Sequence, residues 1–195
     1  MSDPDQFSSM PLTRPLFGEE EIEMVRRCLD SGWVTQGPMV RRFEELFLQR
    51  HPVGHAISCT SCTAALHLGV IALGIGPGDE VVVPSFTWVT SAHAAEYVGA
   101  KAVFCDIDPQ TFNIDAALLR AAISPRTKAI MAVHLFGLSA DMDSVLAAAS
   151  DIPVIEDAAC ALGTCYKGQP VGGFGAIGCF SFHPRKVVTT GEGGM

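Results

Sequence analysis

From residue 55 onward, short apolar runs alternate with segments that are rich in alanine and leucine. Apolar residues fill these runs almost without a break, which is typical of strands in a parallel sheet buried on both faces. Strands that alternate with helices along the chain build this kind of sheet. The pattern therefore predicts an α/β fold, a three-layer sandwich around a mostly parallel sheet. The predicted strands are 55–58, 80–83, 102–106, 129–135, 154–156 and 176–182, and the predicted helices are 64–73, 92–98, 116–123 and 144–149.

The beginning of the chain follows a different pattern. Ile22, Val25 and Leu29 recur at helical spacing, and a second apolar helix face follows a Gly-Pro loop. We expect residues 1–52 to be an N-terminal helical segment. Because no repeat or low-complexity linker divides the chain, we expect residues 1–195 to form one domain.

Composition narrows the class of protein. The chain has 195 residues, of which 48% are apolar, and 13 Lys and Arg against 21 Asp and Glu give a net charge of −8. It is too apolar for a disordered protein, and no basic stripe suits a nucleic acid. The seven cysteines, an odd number, argue against a disulfide framework, and residues 1–10 lack the apolar core of a secretory signal. The uncharged stretch 55–78 contains a polar block, so its apolar part is too short for a membrane span. We expect a cytoplasmic protein that binds neither nucleic acid nor membranes.

Polar residues follow several predicted strands, at the edge of a parallel sheet where ligands bind. Ser61, Cys62 and Thr63 lie between the first predicted strand and an alanine-rich helix. Free N–H groups at such a helix N-terminus bind anions, although a hydroxyl that only caps the helix gives the same pattern. Trp88 follows the second predicted strand, where an indole covers a flat ligand or packs against the next helix.

Charged residues follow two further strands. Asp157 ends a buried strand and precedes small residues that leave room for a ligand, and capping the next helix is its alternative role. Ser181 lies near the end of the last strand, and Lys186 follows on a loop, where a lysine is usually only solvated. A Cys-x-x-Cys pair at 59–62 suggests zinc, but no second pair stands at metal spacing, and we expect no metal site.

Together these residues supply four groups that pyridoxal 5′-phosphate (PLP) requires. Its phosphate binds at a helix N-terminus, and its ring packs against an aromatic face. Its pyridine nitrogen needs a carboxylate that keeps it protonated, and its aldehyde forms a Schiff base with a lysine. An anion-binding turn, an indole, a carboxylate and a lysine at the strand ends therefore predict a PLP site.

The chain also resembles the DegT/StrS-type sugar aminotransferases, a family of fold-type I PLP enzymes. The resemblance covers nearly the whole chain, and its motifs occur in family order. No single motif is specific, but the combination is. The motifs are Ser-Gly-Trp-Val-Thr-Gln-Gly-Pro at 31–38, Ser-Cys-Thr-Ala-Ala-Leu-His-Leu at 61–68, Leu-Gly-Ile-Gly-Pro-Gly-Asp-Glu-Val at 73–81, Asp-Ile-Asp-Pro at 106–109, Ile-Glu-Asp-Ala-Ala at 155–159, Ser-Phe-His-Pro-Arg-Lys at 181–186 and Thr-Thr-Gly-Glu-Gly-Gly at 189–194.

The resemblance implies an aspartate-aminotransferase-like large domain and a role for each residue of the predicted site. Lys186 is similar to the catalytic lysine that forms the Schiff base. Asp157 is similar to the partner of the pyridine nitrogen, and Trp88 resembles the aromatic residue that stacks on the ring.

The resemblance also assigns the phosphate and the phenolic oxygen of PLP. Cys62, Thr63 and Ser181 resemble the residues that hold the phosphate. Cys160 stands where many members of the family carry Gln or His near the phenolic oxygen. This departure removes a strong hydrogen-bond donor from the implied site.

The implied reaction is a transamination. Relatives that are dehydratases carry histidine in place of the lysine, so Lys186 favours amino transfer. The amino group passes from an amino-acid donor, which we expect to be glutamate, to a nucleotide-linked keto sugar, as in the biosynthesis of cell-surface polysaccharides. The alternative is a catalytically silent cofactor-binding or regulatory module of the same family.

Members of this family are considerably longer than this chain. They continue into a strand between the first and last strands predicted here, add a small C-terminal domain, and complete their active sites as homodimers. By this resemblance the chain is a truncated large domain without the C-terminal domain. We expect residues 1–195 alone to be inactive and prone to aggregation, because unpaired sheet edges invite it.

Overall fold

The computed structural model describes residues 13–195. The first ten residues, in which we found no secretory signal, lie outside the described residues, as do residues 11 and 12 of the predicted helical segment. The helices are α1 (Glu19–Asp30), α2 (Pro38–Arg50), α3 (Cys62–Ala72), α4 (Thr90–Glu96), α5 (Ala116–Ala122) and α6 (Met142–Ala149). The strands are β1 (Glu80–Pro84), β2 (Lys101–Cys105), β3 (Thr127–Val133), β4 (Val154–Asp157), β5 (Cys165–Tyr166), β6 (Gln169–Pro170) and β7 (Ile177–Cys179). The four helices predicted after residue 55 are confirmed, with small shifts at their ends.

Five strands form one sheet in the order β2-β1-β3-β4-β7, and every neighbouring pair is parallel. This confirms the parallel sheet that the alternating pattern predicts. The remaining two strands, β5 and β6, form a small antiparallel hairpin that the sequence analysis missed. Strands of two residues are too short to show a hydrophobic period, so the pattern carries no signal for them.

The predicted strand at 55–58 is wrong. Near this segment only Cys59 pairs, in an isolated antiparallel bridge with Gly194, and Gly194 also bridges to Ser181. The Ser58 N–H donates instead to the carboxylate of Glu44 in α2, at 2.8 Å. A helix side chain therefore bonds to the Ser58 N–H, where the predicted strand would have had a neighbouring strand.

Alternate strand residues face opposite helical layers, which gives the predicted sandwich. Val81 and Met131 pack beneath α3 and α4, whereas Val82 and Ile130 pack against α5 and α6, and all four are fully buried. A residue period of two places neighbouring side chains on opposite faces of a strand. The core thus lies on both faces of the sheet.

Aromatic contacts attach the N-terminal helical segment to this sandwich. Phe47 of α2 packs edge-on against Phe180, and Phe43 packs edge-on against Phe182, each with ring centroids 5.0 Å apart. No side chain of α1 is buried, and its apolar stripe is exposed. Within residues 13–195, every helix is too short or too polar to traverse a lipid bilayer.

A fully buried carboxylate, Glu156, joins β4 to two other segments. It is hydrogen-bonded to His134 Nε2 at 3.0 Å, just beyond β3. His134 Nδ1 accepts the Ala140 N–H at 3.1 Å, so Nε2 carries the proton and donates to Glu156. Three backbone N–H groups of the loop before β7 also donate to this carboxylate. They belong to Gly172 (2.6 Å), Phe174 (2.7 Å) and Gly175 (2.6 Å).

These hydrogen-bond donors keep Glu156 negatively charged although it is buried. Burial alone would raise the pKa of Glu156, but the hydrogen bonds from His134, Gly175 and Gly172 outweigh burial and hold the pKa below its ordinary value. A carboxyl group whose pKa is lowered by folding stabilises the folded state above its unfolded pKa, about 4.3 for Glu. This stabilisation is lost as the pH falls through the folded pKa.

Replacing Glu156 by Gln should lower the free energy of unfolding at pH 7 by about 3 kcal/mol, because the new NH2 group faces N–H donors. Denaturant titration measures this loss, and its difference from the wild type should shrink as the pH drops below about 4.3. The control is Glu45→Gln on the surface of α2, where the ion pair with Arg42 is exposed and the change should stay within about 0.5 kcal/mol. Equal effects of the two substitutions would contradict the role of Glu156.

Candidate functional site

A cavity of about 590 Å³ lies beyond the carboxyl ends of the strands. The sheet order brings together segments that are distant in sequence, because parallel strands end at the same edge. All seven residues of the predicted site line this cavity. They are Cys62, Thr63, Trp88, Asp157, Cys160, Ser181 and Lys186.

The N-terminus of α3 opens toward this cavity. Ser61 is the N-cap, and its hydroxyl accepts the Ala64 N–H at 3.1 Å. Among the hydrogen bonds of residues 13–195, none uses the N–H of Cys62 or Thr63. The two interpretations of this turn are therefore compatible: Ser61 caps the helix, and the next two N–H groups remain available to an anion.

The chain near Gly194 packs directly against this helix terminus. Cys59 and Gly194 exchange backbone hydrogen bonds of 3.0 and 2.9 Å. A Cβ atom at position 194 would lie 2.3 Å from the carbonyl carbon of Ser61 and 2.7 Å from the Cys62 nitrogen. Only glycine permits this close approach.

Asp157 ends β4 and is buried. Its Oδ2 accepts the Ser91 hydroxyl at 2.7 Å, and its Oδ1 accepts the Ala159 N–H at 3.1 Å. The Cys62 thiol lies 3.9 Å from Oδ1 and donates weakly. No helix lies between β4 and β5 in the described part of the chain, so the alternative role of Asp157 as a helix cap is wrong. Its carboxylate holds the turn that follows β4 and also lines the cavity.

Lys186 is half-buried and makes a specific contact. Its Nζ lies 2.9 Å from Cys160 Sγ, and its N–H donates to the His183 carbonyl at 2.9 Å. The backbone N–H bond closes the turn before Lys186, and the side-chain contact with Cys160 is one that an amine facing only solvent would not make. The structure therefore places the amine beside Cys160, at the mouth of the cavity.

Trp88 lies on the cavity wall but is not packed into the core. Its side chain is 74% exposed, so ordinary packing against α4 does not account for it. An indole so exposed at a cavity is available to cover a flat ligand.

Several lining residues were missed by the sequence analysis. They are Thr87, Thr90, Val133, Leu135, Ala159, His183, Arg185 and Glu192. A signal was available for four of them, because Ala159, His183, Arg185 and Glu192 belong to motifs of the family resemblance. His134 also borders the cavity, although both of its ring nitrogens are bonded and the residue is 1% exposed. His134 is therefore a core histidine whose hydrogen bonds are satisfied.

Two buried thiols near Asp157 stay protonated. Cys62 lines the cavity, and Cys179 of β7 pairs with Asp157 in the sheet. Burial, and then the charge of Asp157, raises the pKa of Cys62 well above its ordinary value. The same two causes, burial first and then the charge of Asp157, raise the pKa of Cys179 above that of a free thiol. Within residues 13–195 no group of three or more His, Cys, Asp or Glu side chains is arranged to hold a metal ion.

Comparisons with known protein sequences agree on one family. A family model described as the DegT/DnrJ/EryC1/StrS aminotransferase family matches residues 15–195. The chain is 49% identical to GDP-perosamine synthase of Caulobacter vibrioides over 184 residues, which is 93% of this chain and 50% of that protein. It is 47% identical to the UDP-4-amino-4-deoxy-L-arabinose–oxoglutarate aminotransferase of Shewanella sediminis, over 95% of this chain and 48% of that protein. The chain spans about half the length of the curated relatives it matches.

A solved structure shows the same architecture. A protein assigned as a sugar aminotransferase, Spr1654 from Streptococcus pneumoniae, matches in its PLP form with a TM-score of 0.91 and 38% identity. The match covers 95% of this chain and 52% of that one. It confirms the predicted fold class.

Alkylation should distinguish the exposed thiol at the mouth of the cavity from the two buried thiols near Asp157. Iodoacetamide at pH 8 should label Cys160, which is exposed, and spare Cys62 and Cys179, because they are buried and their pKa values are raised. Peptide mass spectrometry measures the rate of labelling at each cysteine. Cys62 and Cys179 should react at least about tenfold more slowly than Cys160. Cys165 is the control, since it is exposed but does not line the cavity. If Cys62 were labelled as fast as Cys165, the result would contradict the burial and protonation of the Cys62 thiol.

Proposed function

Because the chain belongs to the DegT/DnrJ/EryC1/StrS aminotransferase family, we propose that it binds PLP in this cavity and transfers an amino group to a nucleotide-linked keto sugar. The observation that carries the proposal is the meeting of three groups at one cavity. These groups are the Lys186 amine, the Asp157 carboxylate and the open N-terminus of α3.

The donors and acceptors of the cavity fit PLP. Its volume of about 590 Å³ lies within the range of cofactor sites. The free N–H groups of Cys62 and Thr63, with the hydroxyls of Thr63 and Ser181, would hold the phosphate, because a helix N-terminus favours an anion. Asp157 and Lys186 line the same cavity, which supports roles for them at the ring and at the aldehyde.

Asp157 and Trp88 would orient the ring. When bound, PLP supplies an electron sink for the negative charge that develops at the α-carbon of an amino acid. Asp157 would accept a hydrogen bond from the ring nitrogen and hold the proton there, since its side-chain partners in the structure are all donors. Trp88 would cover the ring and exclude water from it.

Lys186 would hold the aldehyde group and then act as general base and acid. Its Nζ would move the proton between the α-carbon of the amino acid and the C4′ atom of the cofactor. Cys160 Sγ lies 2.9 Å from Nζ and would remain the neighbour of this amine near the phenolic oxygen.

The proposed substrates are glutamate and a nucleotide-linked keto sugar. Two relatives support this class, since their names contain GDP-linked and UDP-linked amino sugars, and one also names oxoglutarate. Oxoglutarate is the keto acid that remains when glutamate gives up its amino group. Polysaccharide biosynthesis is the process that such sugars would serve.

We further propose that residues 1–195 belong to the PLP-binding large domain, here incomplete, of a cytoplasmic homodimer. A small C-terminal domain and a second subunit would complete the site in the whole protein. The family resemblance supports this arrangement, and so does the exposed apolar stripe of α1, which a subunit contact would cover.

PLP should attach to Lys186. Protein from the complete reading frame is incubated with one equivalent of PLP, reduced with borohydride and mapped by peptide mass spectrometry. We expect the label on Lys186 and none after Lys186→Arg, because the amine lies on the cavity wall. Lys167, which is paired with Asp143 on the surface, is the control. A label on Lys167 or Lys128 in place of Lys186 would overturn the assignment.

Asp157→Asn should preserve the fold and reduce the rate of oxoglutarate formation from glutamate by at least about a hundredfold, because the ring nitrogen would lose its charged partner. Asp143→Asn, an exposed change with no cavity contact, is the matched control and should keep the normal rate. A near-normal rate in Asp157→Asn would contradict the role of this carboxylate. A well-folded wild type that binds PLP and forms no oxoglutarate would favour the silent module.

A further inference from the structure

A buried hydroxyl outside the proposed cofactor contacts is bonded to the site carboxylate. Ser91 lies in α4, and its relative exposure is 0%. Its Oγ lies 2.7 Å from Asp157 Oδ2 and 3.0 Å from Thr87 Oγ1. A hydroxyl removed from water is costly unless it is bonded, and both contacts of Ser91 lead to the cavity wall.

The direction of each hydrogen bond follows from the available protons. The other partners of Asp157 are the Ala159 N–H and the Cys62 thiol, and both are donors. An ionised carboxylate only accepts hydrogen bonds, so the one hydroxyl proton of Ser91 points to Asp157. The Ser91 oxygen is then an acceptor for the Thr87 hydroxyl. The relay runs from Thr87 to Ser91 to Asp157.

This relay and the turn after β4 hold the two carboxylate oxygens separately. Oδ1 is bonded to the Ala159 N–H, and Oδ2 is bonded to Ser91. Bonds to both oxygens fix the rotation of the carboxylate plane, which a bond to one oxygen would leave free. The plane of Asp157 is thus set before any ligand enters the cavity.

Among the side chains around Asp157, Ser91 is the strongest donor. Cys62 in α3 and Cys179 in β7 face the carboxylate as protonated thiols, and a thiol is a weak donor. Glu156 points to the other face, into its own set of donors. Lys186 borders the same cavity, but its contact is with Cys160.

We propose that Ser91, supported by Thr87, is a positioning residue that orients Asp157 toward the ring nitrogen of PLP. The role rests on the proposed function, since it requires PLP in the cavity. Ser91 itself has no place on the cavity wall and therefore acts only through Asp157. Loss of the Ser91 hydroxyl should weaken the binding of PLP. It should not affect the binding of an analogue that lacks the ring nitrogen.

The test compares PLP with its 1-deaza analogue, in which a C–H group replaces the ring nitrogen. Dissociation constants are measured by fluorescence on protein from the complete reading frame. Ser91→Ala should weaken PLP about tenfold and the analogue less than about twofold, since only PLP bonds to Asp157. Thr87→Val should weaken PLP about threefold, because the relay loses one donor. Ser91→Thr keeps a hydroxyl and should restore the preference for PLP.

The matched control is Ser144→Ala, which removes a hydroxyl bonded at 2.6 Å to the Asp141 carboxylate at the start of α6, outside the cavity. It should leave both constants unchanged. Equal weakening of PLP and the analogue in Ser91→Ala and Thr87→Val would overturn the positioning role and leave the proposed function intact. A folded wild type that binds neither ring would overturn the proposed function, and this role with it.

Discussion

The structure depends on one buried negative charge, the carboxylate of Glu156. A charge in the core is tolerated only when donors replace the water that it loses. Here His134 and three N–H groups of the 172–175 loop do so. The carboxylate thereby ties the centre of the sheet to the segment that leads into β7. Without it, several N–H groups of the loop would be buried without acceptors.

Glu156 also sets the position of the site. It precedes Asp157 in β4, and neighbouring strand residues point to opposite faces. Fixing Glu156 on one face therefore fixes Asp157 on the other, where Ser91 and the Ala159 N–H complete its orientation. The same backbone pairs with β3 on one side and β7 on the other. Of these two adjacent acids, Glu156 thus stabilises the fold and Asp157 belongs to the proposed cofactor site.

Local patterns predicted much of this molecule, and distant contacts explain the rest. Apolar runs and helical spacing located five strands and the helices, since both depend on neighbours in sequence. The carboxyl ends of those strands then placed Asp157 and Lys186 at one edge. The strand predicted at 55–58 is wrong because its apolar residues suit a strand, whereas the Ser58 N–H bonds to the distant side chain of Glu44. Ser91 gave no signal, because its partner Asp157 is far away in sequence and a serine within a helix looks ordinary.

The bridge from Cys59 to Gly194 has a consequence for synthesis on the ribosome. It joins the turn before α3 to a segment that is translated long after that helix. Contacts between such distant parts of a chain form late, because the intervening loop must first be closed. All five strands of the sheet are present once β7 has left the exit tunnel. The contact between Ser61 and Gly194 forms only after Gly194 has also been translated. A nascent chain would thus carry a folded sheet before it offers a finished pocket.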